Sequence, residues 1–165
     1  MTETVSCRMF RHACAFVDCA KYCEIEPNNI EYRTQSNSVA GIVNAAFACE
    51  VFIKTLLVFQ GVPLEEIKGH ELKKLWNKFK EKDLETALSV EQIMREAFNS
   101  KDENVFNKLL FNISNAFEYY RYIYEKERSE INPQYLRFFR IALRNVCCRQ
   151  LYNKSWNEYI NDNQE

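Results

Sequence analysis

The sequence predicts an all-α fold: one domain over residues 1–165, built as an up-and-down bundle of about five or six helices. Three observations carry that expectation. No run shows sustained alternation of apolar and polar residues, the period-two mark of a half-buried strand. Three glycines and three prolines in 165 residues leave little punctuation, so long elements are expected. From Val39 to Phe59 the chain is apolar on every side at helical spacing, with Asn44, Glu50, Lys54 and Thr55 as its strongly polar residues. A helix of that kind is buried all round, and the other elements pack around it.

Taken in order, the first helix should run from about Val5 to Glu24. Val5, Met9, Ala13, Phe16, Val17 and Ala20 form its apolar face, and Pro27 ends it. His12, Cys19 and Cys23 fall on one flank. They are either soft-metal ligands or small residues at the edge of the buried face, and with no CxxC knuckle no metal site is assigned. A connector from about Ile25 to Gln35 leads to the central helix, for which Ser36, Asn37 or Ser38 can serve as N-cap and Gly61 as C-terminal stop. Its length also suits a membrane span. Glu50 and Lys54 argue against one, at roughly 2.5–3.5 kcal/mol each near a bilayer centre, and at i and i+4 they pair instead.

A third helix is expected from about His70 to Lys80, with Leu72, Leu75, Trp76 and Phe79 inward and His70 at its N-terminus. Asp83 to Asn99 reads as helical, broken near Ser89, where Ser89 and Gln92 resemble a capping box. Ser100 and Glu103 form another, opening a long helix to about Arg128. On the flank of that helix Arg121 can bridge Glu118 and Glu125. Asn132-Pro133 starts the last helix, which reaches about Tyr152. Tyr135, Leu136, Phe139, Ala142, Leu143 and Val146 face its core side, and Arg137, Arg140 and Arg144 the opposite side. No acid occurs from Pro133 to Asn157, and the tail after Tyr159 should fray.

The formal charge of −1 excludes a global basic field for nucleic acid, so any such surface is local. Seven cysteines, an odd number, without a secretory signal at the N-terminus, imply reduced thiols and a cytoplasmic location. No cofactor and no membrane partner is expected.

The segments AAFACEVFIKTLL, GHELKKLW and NAFEYYRYIYE together resemble the pattern of HEPN-type helical domains. In that pattern a central helix carries Glu and Lys (here Glu50 and Lys54), a Gly-His-x-Leu-Lys-x-Leu motif follows (here Gly69 to Leu75), and a later helix carries Arg-Tyr-x-Tyr-Glu (here Arg121 to Glu125). The match covers roughly Val39 to Glu125. The resemblance implies a bundle, often dimeric, in prokaryotic defence, toxin–antitoxin and RNA-processing settings. Many relatives are metal-independent ribonucleases with an Arg and a His separated by four to six intervening residues. This chain departs there. Arg144-Asn145 has the right start, but Arg149, Gln150 and Leu151 stand where His should fall, and Arg8 and His12 are one residue too close. Arginine cannot move a proton near neutral pH, so no catalytic residue is assigned.

Three functions follow as expectations. The first is a non-catalytic HEPN-like module, dimeric, that binds RNA or a nucleotide through Arg137, Arg140 and Arg144. The second is a protein-interaction or homodimerisation module without a nucleic-acid role. The third is an enzyme, such as a degenerate or cryptic ribonuclease, in which Glu50, Lys54, His70, Arg121 and Glu125, with Glu118 beside them, converge in a polar pocket. The same residues can instead form an ion-pair network that sets helix register.

Overall fold

The computed structural model describes residues 3–24, 36–102, 104–125 and 131–162. Among them there is no strand. Eight α-helices follow in order: α1 (Val5–Glu24), α2 (Ser36–Phe59), α3 (Leu72–Lys82), α4 (Leu84–Ala97), α5 (Val105–Ile113), α6 (Ala116–Arg121), α7 (Pro133–Tyr152) and α8 (Trp156–Asp162). Short 3₁₀ turns lie at Leu64–Glu66 and Ile123–Glu125. The all-α bundle stands, with more and shorter pieces than the periodicity suggests.

α2 is the centre. It packs against α1, α3, α6 and α7, and Ala46, Ala48, Cys49, Phe52, Ile53 and Leu57 are wholly buried. Ser38–Phe59 has the length and mean hydropathy (1.9) of a membrane span, and here that apolar surface is taken up by helices. The end of α2 is set by Gly61, whose φ of 81° is open to glycine at little cost. Val62 N–H donates to the Leu57 carbonyl and Gly61 N–H to the Val58 carbonyl, which is the paired closure of a Schellman motif. Gly61 thus stops the helix as its position in the sequence suggests.

α7 is the second long element and lies on α1, α2, α4 and α8. Asn132 Oδ1 accepts from Tyr135 N–H and Pro133 occupies the first turn, so the expected start is realised. All six residues assigned to its core side are buried. The Cys147 thiol donates to the Phe52 carbonyl at 3.5 Å, joining α7 to α2.

Several expectations are corrected. On α1 the buried face is Ser6, Phe10, Ala13, Val17 and Ala20, rotated from the assigned one so that Phe10 replaces Met9 and Val5 is exposed. Phe10 is drawn in by an aromatic cluster with Phe52, Tyr152, Trp156 and Tyr159. α4 runs unbroken through Ser89, because Asp83 supplies the cap instead: its Oδ1 accepts from Thr86 N–H at 3.0 Å. The long helix expected from Ser100 is interrupted at Ser114–Asn115. There the Ser114 carbonyl accepts from Leu72 N–H and its hydroxyl from Lys73 N–H, so Ser114 is given over to the start of α3. Ser100 forms a local turn with Asp102 N–H rather than a helix cap. The chain after Tyr159 continues as α8 to Asp162. The connector 25–35, Glu103 and the expected helix end at Arg128 lie outside the described residues, as do the side chains of Ser36 and Asn37.

Candidate functional site

The polar residues assigned to a pocket around Glu50 are only partly brought together. Glu50 is buried on α2, one turn before Lys54, whose Nζ donates to its Oε1 at 2.7 Å. Gly69, at φ 97°, turns the chain into His70, and the imidazole meets the other carboxylate oxygen: Nδ1 lies 2.9 Å from Oε2. A carboxylate only accepts, so Nδ1 carries the proton and donates. Both oxygens of Glu50 are therefore engaged. The His70 ring also rests on Phe117, which stacks on Phe47.

Arg121 reaches the edge of this group without joining it. Its guanidinium lies over Phe117 and Tyr122 at 5.2 and 5.1 Å, and Nη2 donates to the Tyr122 hydroxyl. Among the described residues no ion pair links Arg121 to Glu118 or Glu125, and all three are exposed. The physical reason for the lost pairing with Glu125 is the end of α6 at Arg121: the next residues form a 3₁₀ turn, which spoils the i, i+4 relation. Glu50, Lys54 and His70 make a satisfied network between α2 and the start of α3, which is the arrangement expected of residues that set helix register.

The arginines of α7 are the larger correction. They share a face, but only its first member, Arg137, is solvated. Arg140 is 1% exposed, and its Nη1 and Nη2 donate to the two carboxylate oxygens of Glu24, at the end of α1, at 2.8 and 2.7 Å. Arg137 is exposed and stands 3.9 Å from the same carboxylate. The end of α1 covers Arg140 and Trp156 of α8 covers Arg144, so the three arginines do not form one exposed stripe. One of its members remains unpaired.

That member is Arg144. It is 7% exposed, with its guanidinium 4.1 Å above the Trp156 ring of α8. Among the described residues its Nε and Nη1 are buried without any hydrogen-bond partner, as is Nε of Arg140, whose two other nitrogens hold Glu24. Burial pulls its pKa below the ordinary arginine range, which states the same electrostatic deficit in another form. Beside it opens a pocket of about 210 Å³ lined by Arg144, Asn145, Arg149, Ser155, Trp156 and Asn157. The loop that forms one wall is fixed by Asn153 in the left-handed conformation at φ 52°, and by Ser155, whose carbonyl accepts from the Cys148 thiol at 3.6 Å. Burial raises the neighbouring Cys14 thiol to about 12 and also raises Cys148, so both stay neutral; the nearby Asp18 carboxylate acts on Arg144 through space, with no hydrogen bond or ion pair between them among the described residues.

Arg149 and Trp156 were legible only as an extra charge and a nearby aromatic; their meeting with Arg144 depends on α8 folding back over the end of α7. His12 and Cys19 are exposed on α1, and among the described residues no three His, Cys, Asp or Glu side chains gather as a metal site would require. Comparison with family models, with curated proteins and with solved structures finds no match to this chain.

Proposed function

We propose that the protein is a non-catalytic, HEPN-like binding module that recognises the phosphate of RNA or of a nucleotide at the α7–α8 pocket. The observation that carries this reading is Arg144: a buried guanidinium with two unpaired donors beside an open pocket that no carboxylate lines. A cation in that state is costly unless an anion compensates it. Arg149 adds a second guanidinium, and arginine is the side chain best matched to phosphate oxygens. The family resemblance supplies the setting, an RNA-processing or defence system.

The test is RNA and nucleotide binding by the purified protein at low and high salt, with RNA integrity followed in the same tubes. Binding should weaken steeply with salt. Arg144→Ala should weaken it by more than about tenfold, on the scale of a lost charge-assisted hydrogen bond, while Arg137→Ala leaves it nearly unchanged. Loss of intact RNA would overturn the non-catalytic part of the reading. Binding that is indifferent to Arg144 would overturn the site.

A second reading, a homodimerisation module, is favoured by a different observation. Leu84 and Leu88 are exposed one turn apart on α4, and exposed Phe59 lies beside Gln60, whose amide donates to Asp83 at the start of that helix. An apolar surface of this kind suits a twofold contact. Light scattering under reducing conditions should give a dimer mass that falls to the monomer in Leu84→Glu/Leu88→Glu. A wild-type monomer at high concentration would rule this reading out.

A further inference from the structure

Resting on the phosphate reading of the α7–α8 pocket, the chemistry of its lining narrows the ligand further. Arg144 and Arg149 offer guanidinium groups, Asn145 and Asn157 carboxamides, and Ser155 a hydroxyl. The acid closest in sequence, Glu158, is not among the lining residues; its carboxylate accepts from the backbone N–H of Ser155, in the pocket wall, at 2.7 Å. We propose that this pocket takes a terminal phosphate monoester, the end group of a mononucleotide or of a phosphorylated RNA terminus, in preference to an internal phosphodiester.

Charge is the first argument. Two guanidiniums with no lining acid match a dianion. A phosphate monoester carries about −1.5 to −2 near pH 7 and presents three terminal oxygens, whereas a diester carries a single charge and two free oxygens. Donor number is the second. Arg144 alone has two unused donor nitrogens with three N–H groups, and the two amides, the hydroxyl and Arg149 add more than a diester can accept. Size is the third. At about 210 Å³ the pocket is smaller than the roughly 300–1,000 Å³ of sites for whole drug-sized ligands. It has room for a phosphate and part of one nucleoside.

Trp156 is the gate. Its indole covers the Arg144 guanidinium, and Nε and Nη1 are closed to water, so an entering phosphate reaches them only if the indole moves. α8 has only seven residues and none of them is fully buried, and the movement exchanges the contacts of the indole with Phe10 and Tyr159 for those of the phosphate with Arg144. Occupancy of the site is thereby coupled to the environment of one tryptophan, while Trp76, the other, is sealed in the core.

The experiment follows tryptophan fluorescence during titration with inorganic phosphate, 5′-AMP, and two RNAs of one sequence bearing a 5′-phosphate or a 5′-hydroxyl. Wild type and Trp156→Phe are compared, and affinity in the variant is read by competition against labelled phosphorylated RNA. Expected are a fluorescence change with 5′-AMP and phosphorylated RNA that Trp156→Phe lacks, and at least about tenfold weaker binding of the hydroxyl RNA. Affinity for 5′-AMP should also fall as pH drops through about 6, where the monoester loses its second charge. Among the described residues no lining side chain titrates there: those lining the pocket are Arg, Asn, Ser and Trp. Of the groups around Arg144, burial raises the Cys14 and Cys148 thiols, Glu158 is held below its usual range by its hydrogen bonds to Ser155, and Asp18 and Arg140 stand nearby. Equal affinity for the two RNAs with a flat pH profile would overturn the monoester assignment while leaving the phosphate reading in place. No binding of any probe at low salt would overturn both.

Discussion

At the scale of single residues, three arginines on one helix have three fates. Arg137 is solvated, Arg140 is neutralised by Glu24, and Arg144 is buried without a hydrogen-bond partner. Their spacing was legible in the sequence; their partners were not, because Glu24 is more than a hundred residues away and Trp156 lies on α8, a separate short helix that folds back over the end of α7. Replacing Glu24 with Ala would leave Arg140 buried and unpaired, and should cost about 2–3 kcal/mol in urea denaturation. Glu24→Gln, which keeps acceptor capacity, should recover part of that. Arg121→Ala belongs at the other extreme. With only cation–π contacts to Phe117 and Tyr122 and one hydroxyl bond, it should cost less than about 1 kcal/mol, and a larger loss would show that Arg121 supports the Glu50 network after all.

Among elements, α2 and α3 were readable because burial follows the apolar pattern along each of them, and so was the core side of α7, whose arginine face is buried as well. Leu72, Leu75, Trp76 and Phe79 are all inside, as their spacing requires. The stretch from Ser100 to Glu125 was misread for a physical reason. Its apolar pattern remains helical straight through Ser114, but the backbone there serves another helix. Leu72 and Lys73 begin α3 without a side-chain cap of their own, and Ser114 accepts from both. Local pattern cannot report a cap supplied from across the fold. Ser114→Ala removes the Lys73 acceptor while leaving the Leu72 one, and should lower stability by about 1 kcal/mol. Hydrogen exchange should quicken at Lys73 and be little changed at Leu72. A uniform change across α3 would mean that the hydroxyl acts through packing and not as a cap.

For the whole molecule, thiols are distributed by depth. Cys49 and Cys147 are fully enclosed and burial raises both, with Cys14 pushed to about 12 from an ordinary 9.0; Cys19 alone is classed as exposed. A thiol whose folded pKa is raised favours the folded state until the unfolded chain begins to ionise. Stability should therefore be level from about pH 6 to 8 and decline as pH rises from about 9 toward 12, visible as a falling urea midpoint. Cys49→Ala should flatten part of that decline, at the expense of a lower plateau. Insensitivity of the midpoint through pH 11 would count against the burial of these groups. The same gradient governs how the protein behaves in air. An accessible Cys19 on the outer side of α1 is free to crosslink two chains, while the enclosed thiols stay silent. Aged, unreduced preparations would then contain a covalent pair that has nothing to do with Leu84 and Leu88. A Cys19→Ser chain is the proper material for asking whether two copies meet by choice.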